Sequence, residues 1–343
     1  MELLLIMKAI ITGERQSDIV SANVPEPKGD WVVVKVHASA MCTEYKAWLD
    51  GSKKDWIGHE GAGEVVAFAG EIPLKTGDRV VVMPQLPCNR CDICLAGDFC
   101  YCEYDLDHSL IFGTSDGRGT FSHYVIKPHW QLLPIPEKVS YESATMAIDG
   151  IGASFGGMQA IGVSAFDTVL ITGLGPVGLG GIINAKYRGA RVIAIEPSDW
   201  RRSLGAQLGA EIINLSSGKD ILSEIIDITN GKGVDCAVDC SGTVQGQRLC
   251  IDSVRRRGRV SFVGESSKEL TITVSRDMIR KGLHMQGNWL YNRADYKSVM
   301  RVIEDSPLIE KLVSHVMPMS KIQEGFSLLA AGEAAKIVLN PWE

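Results

Sequence analysis

Between Thr168 and Gly178 a short apolar run meets a glycine-rich turn and then a helix-forming stretch, a succession that few folds accept. Val169-Leu170-Ile171-Thr172 reads as a compact buried strand, and Gly173-Leu174-Gly175-Pro176-Val177-Gly178 follows it directly. The first glycine of such a turn permits the tight bend, the second lets backbone approach a pyrophosphate, and the third allows close helix–sheet packing. Pro176 and Val177 lie where the turn becomes helix, whose N-terminus offers free N–H groups to phosphates. Val192 to Ile195 is the next strand and Glu196 ends it, about twenty residues past the glycines, where an acid hydrogen-bonds ribose hydroxyls. A carboxylate there repels the extra phosphate of NADP and favours NAD, while Arg201 and Arg202 lie close enough to keep NADP open. Taken alone, the same residues are also compatible with an ordinary glycine turn and a surface glutamate.

The rhythm of strand and helix continues through Val234–Val238 and Arg259–Val263, which implies a parallel, doubly wound sheet. The first 150 residues differ. Trp31–Val36, Gly63–Val66 and Asp78–Val82 are short strands separated by Gly/Pro punctuation, the pattern of a β-rich, barrel-like unit. Near the C-terminus, Lys321–Leu329 is a helical pattern and Lys336–Leu339 a strand that can return to the first domain. A length of 343 residues fits two domains.

Charge and composition exclude several classes. With 35 Lys+Arg against 41 Asp+Glu, the net charge of -6 offers no footprint for nucleic acid or an anionic membrane. The weakly charged stretch Thr168–Ala185 is broken by glycines and Pro176, so it does not read as a membrane span. The apolar start, Met1 to Met7, is too short for a signal peptide and lacks a basic leader. A cytoplasmic protein is expected, and its nine cysteines are then metal ligands or buried thiols rather than disulfides.

Cys88, Cys91 and Cys94 recur at three-residue intervals and Cys102 follows. Four thiolates from one short loop close a tetrahedral zinc site and leave no open position, which is a structural role. Cys100 lies inside the last interval and can substitute for Cys102. The surrounding residues, Asp92, Asp98 and Glu103 with Arg90 the only nearby base, argue against a nucleic-acid-binding zinc module. A second, mixed set is Cys42 with Gly58-His59-Glu60: thiolate, imidazole and one further ligand suit a zinc with an open position for substrate. Glu60 is either an outer partner of that set or a displaceable ligand. On local evidence alone Cys42 is equally a small buried apolar residue, and His59 a satisfied loop histidine.

Together these residues resemble the zinc-containing medium-chain alcohol dehydrogenase family. The similarity rests on Gly58-His59-Glu60-x-x-Gly63 with Ala69 and Ile72 downstream, the four-cysteine spacing, the glycine motif at 173–178, Gly258-Arg259-Val260-x-x-Val263-Gly264, and the ending Lys336-Ile337-Val338. It spans the chain from about Met7 and leaves residues 1–6 as an extension or an alternative start. The resemblance implies a GroES-like catalytic domain (1–152), a Rossmann-type NAD-binding domain (153–290) and a C-terminal return to the catalytic domain (291–343). It also implies two zincs, an alcohol as substrate and a homodimer or homotetramer. The catalytic zinc would take Cys42, His59 and a third ligand at the position of Asp149, with Glu60 able to complete the shell or exchange into it. Gly264 and the stretch Gly287-Asn288-Trp289 would lie along the cofactor.

One departure concerns the proton. Family members commonly carry Ser or Thr two residues after the first ligand, where this chain has Glu44. Glu44 is therefore expected to face the active site and replace the hydroxyl relay; in the alternative it is solvated, and Thr43 or water serves instead. Three carboxylates, Glu44, Glu60 and Asp149, favour a polyol or sugar secondary alcohol as substrate. Trp48, Trp56, Trp289 and Tyr291 can instead build an apolar slot for a simple alcohol. A zinc-free reductase of the same fold would lack Cys42, His59 and the cysteine lobe, and a non-catalytic NAD binder would carry a single zinc.

Overall fold

Valine and isoleucine dominate the stretches expected to be strands, and side chains branched at Cβ favour a pleated backbone. The computed structural model of the chain describes residues 5–213 and 220–343. It divides into two units: residues through Ile148 with Asn292–Asp305 and Val313–Glu343, and Asp149–Tyr291 with Ser306–Leu312. Ser306–Leu312, expected within the C-terminal return, is thus part of the second unit. Of the opening extension, Met1–Leu4 lie outside the described residues. Ile6 is buried in the strand Leu5–Gly13 and so belongs to the fold.

The first unit is built on a seven-stranded sheet. Its path runs Val313–Pro318, Lys336–Asn340, Trp31–Ala40, Glu60–Phe68, Arg79–Val82, Leu132–Pro134, with Tyr124–Pro128 also paired to Trp31–Ala40. The C-terminal strand does return: Val338 and Leu339 pair antiparallel with Ala40 and Ser39. Val32, Val34, Val36, Val65, Val80 and Val82 alternate onto one face and form one core. A second core gathers Met41, Trp48, Phe121 and Phe326. Trp48 is therefore no wall of a substrate slot: it is 2% exposed, lies 5.6 Å from the Phe326 ring and donates to Gln323.

The second unit is an all-parallel sheet in the order Glu211–Ile212, Arg191–Ile195, Thr168–Thr172, Val234–Asp239, Val254–Phe262, His284–Gly287. The order reverses beside Thr168–Thr172, the switch point where open α/β sheets bind ligands at their carboxyl ends. The register puts Ile195, Thr172, Asp239, Phe262 and Gly287 in one row. The residues just beyond, among them Glu196, Gly173 and Asn288, accordingly leave the sheet at one level. The helix Pro176–Tyr187 is apolar nearly all round and buried from Gly178 to Ala185, as a helix inside such a layer must be.

Candidate metal centres and cofactor cradle

The cysteine lobe forms from its own short sequence. Asn89 takes a left-handed backbone (φ 56°) that turns Cys88 toward Cys91, and Cys91 caps the short helix Asp92–Leu95. Cys88, Cys91, Cys94 and Cys102 bring one sulfur each within 4.8 Å of the others; Cys100 is not in the group. The Cys88 and Cys94 sulfurs are 4.0 Å apart, close to the roughly 3.8 Å of a tetrahedral site with 2.3 Å metal–sulfur bonds. Backbone N–H groups already point at these sulfurs: Cys88 donates to Cys102 Sγ at 3.2 Å, Cys91 to Cys88 Sγ at 3.4 Å, and Tyr104 to Cys102 Sγ at 3.3 Å. Burial opposes ionisation of Cys88, yet the N–H groups of Arg90 and Cys91 carry its thiol down to about 6. Zinc fits this donor set, and the set has no free corner.

Cys42 and His59 lie 17 positions apart in sequence and meet in the first unit. Cys42 follows the strand Trp31–Ala40, and His59 immediately precedes Glu60–Phe68, which pairs antiparallel with it. Cys42, His59 and Glu60 place ligand atoms within 4.8 Å of one another. Thr43 stands at the N-cap of the helix Glu44–Asp50 without using its side chain as a cap. Glu44 is neither solvated nor presented as a free acceptor. Its Oε1 lies 2.7 Å from His59 Nδ1, and its Oε2 accepts the Cys42 N–H at 2.9 Å. Burial raises the Glu44 carboxyl, but the adjacent imidazole, its hydrogen bond and the backbone N–H groups together hold it below the ordinary carboxylate range. An anionic Glu44 fixes the proton on Nδ1 and leaves Nε2 for a metal, the usual arrangement behind a ligating imidazole.

Glu60 is fully buried and ion-paired with Lys336, whose ammonium also donates to the Met41 carbonyl at 3.3 Å. The His59 Nε2 stands 3.9 Å from Glu60. Two of the three carboxylates expected to bind substrate hydroxyls are therefore engaged within the protein. Lys336 is the residue that sequence inspection missed. Its signal was a lysine opening an apolar strand, a position that is fully buried only when a counter-charge waits there. Asp149 opens the turn Asp149–Ala153 at the start of the second unit.

The glycine motif has the expected shape in the second unit. Gly173 has φ 80°, and a Cβ on Gly178 would meet the Gly173 carbonyl at 1.9 Å. Those glycines are required by a left-handed turn and by close packing. A Cβ on Gly175 would meet nothing within 4 Å, so the turn faces open space where a phosphate can approach. Glu196 accepts the Leu174 N–H at 2.6 Å and the Ser198 N–H at 2.9 Å, clasping the turn from the neighbouring strand. Ser198 caps the next helix through the Arg201 N–H, and Arg202 donates to the Glu196 carbonyl at 2.9 Å. Asp239, also missed, accepts the Thr172 hydroxyl at 2.8 Å and the Ser241 hydroxyl at 2.6 Å, tying two loops at the carboxyl edge. The Gly264 N–H donates to the Asp239 carbonyl. Gly287 ends its strand, Asn288 donates to Leu290, and Trp289 is half exposed.

Comparison with known proteins agrees with this geometry. Residues 28–137 match the model of the alcohol dehydrogenase GroES-like domain, and residues 176–305 that of the zinc-binding dehydrogenase. L-threonine 3-dehydrogenase of Pyrococcus horikoshii is 32% identical over 335 residues, 94% of each chain. Among solved structures, the alcohol dehydrogenase of Thermus sp. ATN1 superposes with a TM-score of 0.89 at 25% identity, covering 97% of this chain and 99% of that one. The 2R,3R-butanediol dehydrogenase of Bacillus subtilis gives 0.84 at 26% identity, covering 98% and 99%.

Proposed function

We propose, from the premise that the chain belongs to the zinc-containing medium-chain dehydrogenase family, that it oxidises the secondary hydroxyl of a small alcohol to a ketone with NAD as hydride acceptor. The observation that carries this reading is Glu44 against His59 Nδ1, because a carboxylate that fixes the tautomer prepares Nε2 to ligate. When bound, zinc supplies Lewis acidity to the substrate oxygen, and the nicotinamide accepts the hydride. Cys42 and His59 would hold the metal. Glu60 stays with Lys336 and keeps negative charge behind the ligands. With both Glu44 oxygens engaged, the Thr43 hydroxyl takes over the proton relay. Gly173, Gly175 and the N-terminus of the helix at Pro176 would receive the pyrophosphate, Glu196 would brace that turn from the neighbouring strand, and Trp289 would border the nicotinamide end.

The substrate class follows from two relatives' names and from simple chemistry. Threonine and butane-2,3-diol each carry a secondary hydroxyl beside a carbon that bears a second heteroatom. Polyols and sugars share that arrangement, so the reading is a secondary alcohol with a vicinal amino or hydroxyl group. The test is NADH formation by zinc-loaded protein on L-threonine, butane-2,3-diols, polyols and 2-propanol, with a chelated control and an NADP arm. Chelator-sensitive turnover at least about tenfold better, in kcat/KM, on a vicinal substrate than on 2-propanol supports it, since tenfold is about 1.4 kcal/mol of transition-state binding. Preference for 2-propanol overturns the vicinal requirement, and no turnover by protein holding two zincs and NAD overturns the enzyme. Glu44→Gln should lower catalytic-zinc affinity or turnover by roughly 10–100-fold, the ordinary cost of losing a ligand's orienting partner.

A further inference from the structure

Within the first unit, the segment Arg118–Phe121 runs along the turn that presents His59. The Thr120 N–H donates to the Gly58 carbonyl at 3.0 Å, and the Phe121 N–H to the Ile57 carbonyl at 3.1 Å. Gly119 permits the approach, since a Cβ there would meet the Ile57 carbonyl at 2.3 Å. The Thr120 hydroxyl lies 2.6 Å from that of Ser39, three residues before Cys42. The segment is thus anchored to both stretches that lead to the metal ligands, and Arg118 stands two residues from the anchor.

A second cation lies behind it. The Ile126 N–H donates to the Gly117 carbonyl at 2.8 Å, which brings Lys127 and Arg118 to neighbouring positions. Lys127 is buried, and its ammonium donates to the Pro84 carbonyl at 2.8 Å. Pro84 follows the strand Arg79–Val82, whose Val82 pairs with Gly61, so Pro84 and His59 leave the sheet at the same end. Burial lowers the Lys127 ammonium, and the charge that adds to this is the repulsion of Arg118. Neither cation has an ion-pair partner among the described residues. The acid nearest in sequence, Asp116, is taken by Lys8 at 2.7 Å and by the Asn23 N–H at 3.0 Å. Two like charges held together without a counter-charge repel each other, and a bound anion removes that repulsion.

The aromatic ring beside them sets the geometry. The Arg118 guanidinium lies 4.2 Å from the centre of the Trp56 ring. Stacking occupies one face of the guanidinium plane and leaves its rim of N–H groups to donate, in parallel, to the two oxygens of one carboxylate. We propose that Arg118 determines specificity by binding a carboxylate of the substrate, with Lys127 as a fixed positive charge behind it. The preferred substrate is then a secondary alcohol that is also an acid. This rests on the dehydrogenase reading for the reaction and adds to it the charge of the substrate.

The test compares kcat/KM of the zinc-loaded protein with NAD on L-threonine and on 3-hydroxybutyrate with the values on their amides, which keep the carbon frame and lose only the negative charge. Each acid should be preferred by at least about tenfold. Arg118→Met should erase that ratio, chiefly through KM, and Arg118→Lys should restore part of it. Lys127→Met should lower the same ratio. Tryptophan fluorescence of zinc-loaded protein without cofactor gives a readout that needs no turnover: L-threonine, but not its amide, should change the emission, and the change should vanish in Arg118→Met and in Trp56→Phe. Two zincs per chain and unchanged circular dichroism show that the variants are folded. Amides used as well as the acids, or a preference that survives in Arg118→Met, overturn the assignment of Arg118 and leave the dehydrogenase standing. No turnover on these substrates or on the diols and polyols, with L-threonine binding still dependent on Arg118, overturns the dehydrogenase and leaves the anion site standing. Absence of both turnover and Arg118-dependent binding overturns both.

Discussion

The two metal-ligand sets of the first unit are built in opposite ways. The cysteine lobe takes all its ligands from Cys88–Cys102 and quiets their charge with backbone N–H groups of the same segment. The set at Cys42 and His59 depends instead on charged side chains: Glu44 on the helix Glu44–Asp50, and Glu60 held by Lys336 from 276 positions away. The first site can form as soon as its loop does, whereas Glu60 beside the second gains its counter-charge only once the C-terminal strand has joined the sheet. A local site thus governs local order, and a dispersed one reports on the whole unit.

The largest effect expected from this difference comes from breaking the lobe. Structural zinc contributes about 10–16 kcal/mol to folding in isolated zinc modules, so Cys88→Ser should remove one zinc per chain and expose the lobe. Hydrogen exchange should then rise by orders of magnitude across Cys88–Asp107 while the sheet of the second unit keeps its protection. His59→Ala should do the reverse, abolishing turnover with the lobe's protection intact. Equal loss of protection throughout the first unit in both variants would show that the lobe is not an independent element.

The dispersed set is probed through its buried pair. Lys336→Met leaves Glu60 as an uncompensated charge in a site that excludes water, which costs about 3–5 kcal/mol. Adding Glu60→Gln removes the stranded charge and should return most of that loss, as urea unfolding of the single and double variants would reveal. A double variant as unstable as Lys336→Met alone would mean that packing, rather than charge, matters at this position.

The same contrast explains what the sequence made legible. The lobe and the turn at Gly173–Gly178 are contiguous, and each residue type is demanded by local geometry, so spacing alone identified them. Cys42 and His59 were ambiguous locally because they stand 17 positions apart and no spacing rule joins them; only similarity to a family separated them from a buried thiol and a loop histidine. Glu44 was legible as unusual but not as oriented, since a residue two places after Cys42 can face a substrate or turn back to His59, and the helix beginning at Glu44 decides which. Lys336 was invisible as a partner of Glu60 because no sequence period links a strand near residue 338 to one near residue 60; that link runs through pairing with Trp31–Ala40.

A second buried lysine sharpens the point, because it lacks what Lys336 has. Lys127 lies on the strand Tyr124–Pro128, is 4% exposed, and donates to the Pro84 carbonyl at 2.8 Å. Burial, with Arg118 adding repulsion, drives its ammonium down to about 7 from an ordinary 10.5. A lowered folded-state value means that the unfolded chain binds the proton more tightly, so the penalty is full below about pH 7 and fades as pH rises toward 10.5. Lys127→Met should therefore stabilise the first unit at pH 6 by at least about 1 kcal/mol, or roughly 2–4 °C in Tm, and the gain should shrink between pH 7 and 10. The opposite sign is expected of Lys336→Met at every pH in that range. Thermal unfolding of both variants across pH 6–10 separates the cases, and destabilisation of Lys127→Met at pH 6 would show that its carbonyl hydrogen bond outweighs the cost of burying the charge.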